Sequence, residues 1–261
     1  MSTEVGASTG ERATLLLTVA LALAMPRPAG ASVSQTLSDE AQVEDFRALR
    51  LNTWVEADHE AVLHQLFLVA GIAPRLELAA GFAWGPARTP VAGAGERWQW
   101  GVGDPTAQLK GALVEPTREG RPGAALALTA RAPWSTEDQP GDPGWVTAAY
   151  ALGTANIGRD RLVVHANAGV VRGSAGEAAG KAQPLLGIAA SVKAPGRLRV
   201  VAELFHNDAS LARQGGLVQG GLRWVPSGQV NVDLFAGHGL WGERREPFWV
   251  ILGLKLDSAA P

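Results

Sequence analysis

The chain of 261 residues contains no cysteine, one tyrosine and two methionines, and only 18% of its residues are charged. The lack of cysteine excludes disulfide frameworks, thiolate metal sites and thiol catalysis. The formal net charge is −2 at pH 7 and no lysine- or arginine-rich run occurs, so nucleic acid is not an expected partner. Beyond the N-terminus, the sequence has no apolar run of the roughly 18 residues that a membrane-spanning helix requires.

The N-terminus carries a long apolar stretch. Residues 13–25 are almost wholly apolar, follow Arg12 and precede the tripeptide Ala-Gly-Ala at 29–31. An apolar run of about 7–15 residues before small residues at −3 and −1 is typical of a secretory signal. We predict a signal peptide over residues 1–31, cleaved after the tripeptide, and a periplasmic connector over 32–43. The alternative is a buried helix or a single anchor.

The rest of the chain shows the pattern of β-strands separated by turn-forming residues. Apolar and polar residues alternate in segments such as 230–236 (VNVDLFA), which places them on opposite faces of a strand. An even number of strands is usual for single-chain outer-membrane barrels. Twelve strands are predicted, at residues 44–56, 61–73, 75–84, 98–113, 122–133, 144–153, 161–171, 183–194, 197–207, 216–225, 229–238 and 247–256.

The connections alternate between tight turns, such as 73–75, and long loops, such as 85–97 and 135–144. This alternation is typical of a transmembrane barrel with short periplasmic turns, long external loops and both termini in the periplasm. The apolar strand faces are uncharged, as lipid requires, since Lys or Arg at the bilayer midplane costs about 2–4 kcal/mol. We predict an all-β fold, a transmembrane antiparallel up-and-down β-barrel of about 12 strands over 44–256, followed by a tail at 257–261.

Tryptophans concentrate at predicted strand ends beside the long loops. Amphipathic rings prefer the membrane–water interface, so these residues are predicted to form an aromatic girdle. The alternative is the core of a soluble sandwich, which would place its tryptophans in the middle of strands. The predicted girdle consists of Trp54, Trp84, Trp98, Trp100, Trp134, Trp145 and Trp249.

Several segments, in this order, resemble those of a known family: 101–115 (GVGDPTAQLKGALVE), 120–134 (GRPGAALALTARAPW), 161–171 (RLVVHANAGVV), 196–208, 220–240 and 248–256. Over roughly residues 60–256 the chain is similar to the outer-membrane β-barrel "transporter" or MetA-pathway of phenol degradation proteins. The resemblance implies an outer-membrane barrel that passes small molecules, apolar or aromatic ones among them. Such barrels end on an aromatic residue that the assembly machinery reads, whereas this chain ends in KLDSAAP.

In the predicted barrel, the polar face of each strand points into the lumen. Asp104 and Lys110 then share an inner face, while Ala107 and Leu109 share the outer one. Two interpretations stay open: a network of paired charges that fills the lumen, or a hydrated path whose charges select solutes. The predicted lumen-lining residues are Glu77, Asp104, Thr106, Gln108, Lys110, Thr129, Arg131, His165, Asn167, Lys193, Glu203, Gln219, Arg223, Asn231, Asp233 and Lys255.

The function expected from these patterns is a passive channel for small solutes in the bacterial outer membrane. Its expected partners are outer-membrane lipid, the barrel-assembly machinery and a small-molecule solute. A structural or adhesion-type barrel with a plugged lumen is the alternative. A soluble lipocalin-like carrier is disfavoured, because its outer face would have to be polar.

An enzyme is not expected. A hydrolase site on a barrel needs a serine activated by a histidine. His165 shares an inward face with Asn167, and no serine lies nearby in the sequence. No catalytic residue, no metal site and no cofactor is therefore predicted.

Overall fold

The computed structural model describes residues 40–58, 61–91, 95–135, 144–174, 180–207, 215–242 and 248–258. The predicted signal peptide and the first part of the predicted connector lie outside the described residues. Among the residues that are described, no helix is long and apolar enough to cross a membrane.

Thirteen β-strands form one antiparallel sheet. β4 and β5 both pair with β3, end to end, so together they make one interrupted strand of the wall. The result is a closed barrel of twelve antiparallel strands, which confirms the predicted fold. The strands are β1 Leu49–Ala57, β2 Val62–Ala73, β3 Leu76–Val91, β4 Gly95–Val102, β5 Thr106–Val114, β6 Gly123–Arg131, β7 Val146–Ile157, β8 Leu162–Gly173, β9 Ala182–Ala194, β10 Leu198–His206, β11 Gly215–Ser227, β12 Val230–Gly242 and β13 Trp249–Asp257.

The barrel closes between its first and last strands. β1 pairs with β2 on one side and with β13 on the other, so that Leu51 lies between Leu68 and Leu256. At the end of this seam, the Leu49 N–H donates to Ser258 Oγ (2.8 Å) and the Ser258 N–H donates to Leu49 O (2.7 Å). We call the opening beside these two residues the proximal mouth and the opposite opening the distal mouth.

The wall is interrupted once, between β4 and β5. Pro105 has no N–H to offer a sheet ladder, so pairing stops there. Asp104 instead accepts a hydrogen bond from the Ser135 N–H at 2.7 Å. Above the interruption, β3 and β4 continue as a two-stranded ribbon that includes residues 85–91 and 95–97, for which a loop was predicted. Prolines in this region suggested a loop, but prolines are tolerated on strands whose outer edge is unpaired.

The ends of the predicted barrel also shift. β1 begins at Leu49 rather than at residue 44, because residues 44–48 leave the wall. β13 extends to Asp257, the first residue of the predicted tail. Tight turns close the proximal side, and the turn between β9 and β10 uses Gly196 at φ 72°, in the left-handed region that favours glycine.

The outer face of the barrel is a continuous apolar surface. Leucines and isoleucines in the middle of strands, Leu68, Leu128, Ile188 and Leu252 among them, are more than half exposed. A water-soluble protein rarely exposes apolar patches this large. A barrel surrounded by hydrocarbon requires such a surface, since its outward side chains contact lipid.

Candidate functional site

The inner face of the barrel carries most of the predicted polar residues. Asp104, Thr106 and Gln108 are half-buried there. Lys193 is different: it shares the inner face of β9 with the buried Ser191, but it lies beside the proximal turn and is exposed, at the proximal mouth. The fully buried members of the predicted set are Glu77, Lys110, Thr129, Arg131, His165, Asn167, Glu203, Gln219, Arg223, Asn231, Asp233 and Lys255.

Opposite charges on this inner face lie directly across neighbouring strands. Glu77 of β3 pairs in register with Lys110 of β5, and Lys110 Nζ lies 2.8 Å from Glu77 Oε1. Arg223 of β11 faces Asp233 of β12 and donates two hydrogen bonds to its carboxylate, at 2.7 and 2.8 Å. Because a buried charge is costly unless it is paired, this register gives each of the four charges a partner inside the wall.

A third polar group runs through the middle of the lumen. Gln219 Nε2 donates to Glu203 Oε2 at 2.7 Å, and Trp249 Nε1 donates to Gln219 Oε1 at 3.3 Å. Trp249 therefore points inward and is only 3% exposed. This orientation corrects the prediction that Trp249 belongs to an outer aromatic girdle.

Trp54 also points inward, which corrects a second member of the predicted girdle. Its ring stacks on Phe67 with centroids 5.4 Å apart. It packs against a buried apolar cluster that includes Phe205, Phe235 and Trp249. We call these five rings the inner aromatic patch: Trp54, Phe67, Phe205, Phe235 and Trp249. Together with the cluster of Tyr150, Val171 and Leu185 on the opposite wall, the patch adds apolar surface to the lumen wall.

The other predicted girdle residues lie outside or at the rim. Trp98, Trp100, Trp134 and Trp145 are all about half exposed or more, and Trp84 is half-buried. Alternation along β13 separates the two groups: Phe248 and Val250 face outward, so Trp249 faces inward. Trp54 and Trp249 were assigned to the girdle because they lie at strand ends. The alternation of inward and outward residues along their strands would have placed both in the lumen.

The residues that precede β1 do not remain outside the barrel. Residues 40–48, which we call the N-terminal segment, run through the lumen on the proximal side. Ala41 is completely buried and packs with the apolar cluster on β6 to β9. The predicted connector therefore ends, over residues 40–43, inside the barrel rather than in the periplasm. The polar residues of this segment suggested a connector in solvent. Their charged partners on the lumen wall lie far away in the sequence, so the sequence alone does not reveal the pairing.

Backbone hydrogen bonds fasten the N-terminal segment to two separate strands of the wall. The Ala41 N–H donates to Thr154 Oγ1 of β7 at 2.8 Å, and Thr154 Oγ1 lies 3.0 Å from His165 Nδ1 of β8. The Glu44 N–H donates to Glu77 Oε2 of β3 at 2.8 Å. The segment thus crosses the lumen and narrows it at the proximal side.

Gly71 of β2 allows the chain to approach the wall at the base of the segment. The Arg47 N–H donates to Gly71 O (2.8 Å), and the Gly71 N–H donates to Ala48 O (3.1 Å). A Cβ atom at position 71 would lie 2.0 Å from the carbonyl oxygen of Asp45, far closer than any van der Waals contact. Only glycine leaves room for the segment here.

Charge also holds the N-terminal segment. Glu44 pairs with the buried Arg50 of β1. Glu40 faces four cationic side chains from four strands: Lys255, Arg50, His165 and Lys110. Burial alone raises the pKa of the Glu40 carboxyl, but these charges outweigh burial and hold its pKa below the ordinary value. Glu40 is therefore ionised at neutral pH and attracted to the wall.

A hydroxyl and an imidazole meet on the outer face. Thr53 Oγ1 of β1 lies 2.5 Å from His64 Nε2 of β2, and the Trp84 ring covers the imidazole with centroids 4.1 Å apart. Nucleophilic catalysis needs, in addition, a third group that orients the base. Within the described residues, no hydrogen bond from His64 to a carboxylate or amide is present, and no cluster of three or more His, Cys, Asp or Glu could hold a metal. That the protein is not an enzyme stays a prediction.

No known protein family matches the chain in sequence, and no curated protein does either. Its fold is similar to that of an outer-membrane channel from Pseudomonas putida F1, with a TM-score of 0.62 and 13% identity over 87% of this chain and 100% of that one. The KdgM porin, solved with disordered oligogalacturonate, gives a TM-score of 0.54 and 11% identity over 79% of this chain and 98% of that one.

The NanC porin has a TM-score of 0.51 and 6% identity over 81% of this chain and 100% of that one. At these identities the likeness establishes the fold alone: a closed β-barrel of the kind found in outer-membrane channels and porins. The resemblance to the phenol-degradation family stays a prediction.

Proposed function

We propose that the protein is an outer-membrane channel for small solutes, narrowed on its proximal side by its own N-terminal segment. The observation that carries this proposal is the division of the barrel into two faces. The outer face is apolar and exposed, while the inner face combines paired charges with the inner aromatic patch. An apolar outer face is what contact with lipid requires, and an inner face with charges and aromatic rings can contact a small solute in a narrow lumen.

We further propose that the solutes are apolar, with aromatic molecules among them. The inner aromatic patch supports this choice, because accessible aromatic rings offer edges and faces to a passing ring. Trp54 and Phe67 stack against each other, and both are only half-buried. A hydrophilic sugar gains little free energy from contact with such a wall. An apolar molecule that leaves water for this wall gains free energy in proportion to the apolar area that it buries.

The second candidate function is a structural barrel whose lumen stays closed. Two features favour this candidate. The N-terminal segment occupies part of the lumen, and buried ion pairs link neighbouring strands inside it, namely Glu77–Lys110 and Arg223–Asp233. The two candidates differ in one respect: in a channel the segment moves aside, and in a structural barrel it does not.

Planar-bilayer recordings of the full chain distinguish these candidates. The native protein has no cysteine, so a double variant Ala41→Cys with Thr154→Cys introduces a single defined cross-link between segment and wall. A channel predicts conductance events in the wild type, their loss on oxidation of the double variant and their return on reduction. Silent traces for wild type and reduced variant alike, at all voltages, would establish the structural barrel instead.

The solute class requires a separate measurement. Liposomes that contain the protein should take up a small aromatic solute faster than a sugar of similar size. Phe67→Ser should slow the aromatic solute while leaving the sugar unaffected. Equal uptake of both solutes would contradict the apolar assignment without affecting the channel proposal.

A further inference from the structure

A shallow groove of about 680 Å³ crosses the outer face of the barrel over β5 to β9. Its floor consists of small side chains that neighbour one another from strand to strand: Ala107 faces Ala130, and Ala130 faces Thr147. Bulkier side chains form a parallel row on its proximal side, with Leu109 beside Leu128. The groove is therefore mostly apolar, as a hydrocarbon chain requires.

One charged side chain lines this groove. Arg172 of β8 stands in register with Thr147 on one side and with Ala182 on the other, and it is exposed. Among the strand side chains that the structure describes, only two charged ones lie on the outer face, Arg88 and Arg172. A charge on a lipid-facing surface is costly away from the interface, so each of the two requires a physical explanation.

The two arginines differ in their surroundings. Arg88 stacks over the Trp98 ring at 5.4 Å, and this contact explains its position. Arg172 lines the groove and is exposed, and its guanidinium carries five N–H donors.

The height of Arg172 corresponds to the lipid headgroup region. It is the second-last residue of β8, next to the distal mouth. Just beyond it, Trp145 accepts a backbone hydrogen bond from the Ser174 N–H at 2.8 Å. The exposed rings of Trp145 and Trp134 meet there edge to face, with centroids 6.2 Å apart. Exposed tryptophans mark the membrane–water interface, so the guanidinium lies at the level of headgroup phosphates and the groove extends from there into the acyl region.

We propose that this groove is a binding site for a phosphate-bearing acyl lipid of the outer leaflet. The phosphate pairs with the Arg172 guanidinium, and an acyl chain lies along Ala107, Ala130 and Ala149. Arginine binds phosphate through two parallel hydrogen bonds, and the alanines leave a depression that one chain fills. The site rests on the proposed membrane location of the barrel and is independent of what the lumen carries.

Native mass spectrometry of the full chain in detergent micelles tests the site, with lipid A as the probe and diacylglycerol as the uncharged comparison. Arg172→Gln should weaken lipid A binding about tenfold, the change expected for loss of one charge-assisted contact. Ala149→Phe fills the groove with an apolar ring, so it should weaken both lipids. Arg88→Gln is the matched control, since it removes the other outer-face charge and should leave binding unchanged.

Three results would overturn the site: wild-type affinity in Arg172→Gln, an equal loss in Arg88→Gln, or full competition by inorganic phosphate, which would indicate a free-anion site. Heat-modifiable migration on gels shows for each variant that the barrel is folded. A barrel that is folded and silent in bilayers but still binds lipid A through Arg172 would contradict the proposed channel and leave the lipid site standing.

Discussion

At the scale of single residues, the lumen combines charges that are paired within the wall with aromatic rings that the strand alternation turns inward. Glu77 and Lys110 are almost completely inaccessible to solvent, as are Arg223 and Asp233. Each pair joins adjacent strands in register, so the interaction depends on the register as much as on the residue types. Such pairs specify one strand alignment among the many that an alternating sequence permits.

Removing one member of a buried pair should be more harmful than removing both. Lys110→Met leaves the Glu77 carboxylate buried beside an apolar chain, which should lower the free energy of unfolding by about 3–5 kcal/mol. The double variant Glu77→Leu with Lys110→Met should recover most of that loss. Urea unfolding in lipid vesicles measures both values. A single-variant loss below about 1 kcal/mol, as at exposed pairs, would show that water reaches the site.

The inner charges are more predictable from the sequence than the inner rings, and the reason is physical. Alternation along a strand separates the two faces, and a charge belongs on the face away from lipid, so the sequence alone assigns Lys110 and Asp233 to the lumen. Phe235 lies on the same face as Asp233. An aromatic ring suits either lipid or a narrow lumen, however, so residue type alone does not choose between them. Trp54 and Trp249 were therefore misassigned, although the same alternation placed them inward.

At the scale of elements, the N-terminal segment was the least predictable part of the molecule. Its residues show no alternation, and their polarity is that of any solvated linker. Their position depends on contacts with residues more than 30 positions away, such as Glu77 and Thr154. The pattern of residues within a short stretch of sequence does not reveal contacts with residues so far away in the chain. The strand bounds, in contrast, follow from local alternation and turn residues, and twelve predicted strands correspond to the wall.

Gly71→Ala should dislodge the N-terminal segment while preserving the barrel. The new methyl group would overlap the carbonyl oxygen of Asp45, so the segment has to move. We expect higher conductance in planar bilayers and faster cleavage of the segment by added protease. Gly111→Ala is the control, because its methyl group meets nothing closer than Leu76 Cδ1 at 3.6 Å. Equal conductance in both variants would argue against a narrowing role for the segment.

Acid should also release the segment. The pKa of Glu40 is lowered in the folded barrel, so its attraction to the wall is complete above the ordinary carboxyl pKa and is lost as pH falls through the lowered value. Conductance should therefore rise only at pH values below the ordinary carboxyl range, and Glu40→Gln should raise conductance already at neutral pH. A wild-type conductance that is flat down to the lowest pH at which the barrel stays folded would contradict this role of Glu40.

At the scale of the whole molecule, the barrel separates an apolar outer face from an inner face that holds the paired charges. Below the β4–β5 interruption, each described wall strand pairs with a neighbour on both sides. A sheet that spans hydrocarbon needs such pairing, because hydrocarbon offers no hydrogen bonds to the backbone.

A charge on the outer belt should reveal the surrounding lipid. Leu252 is 57% exposed in the middle of β13, so a soluble protein would tolerate an arginine there with little change. In a bilayer, Leu252→Arg should cost about 2–4 kcal/mol of folding free energy near the midplane. Folding titrations in lipid vesicles measure this cost, with Leu252→Ala as the uncharged control. Equal stability of the two variants would contradict a lipid-facing position for this residue.

The closure of the barrel has a consequence for the order in which it is built. The N-terminal segment directly precedes β1, and its contacts extend from Arg50 at the β1–β13 seam to Glu77 on β3 and Thr154 on β7. Once that seam is joined, a chain carrying Glu40 and Glu44 would have to thread through a narrow mouth. Assembly is simpler if the segment first docks on an open, curved sheet and the last pairing then wraps the wall around it. The segment would thus act as a template around which the last strand pairing closes the barrel.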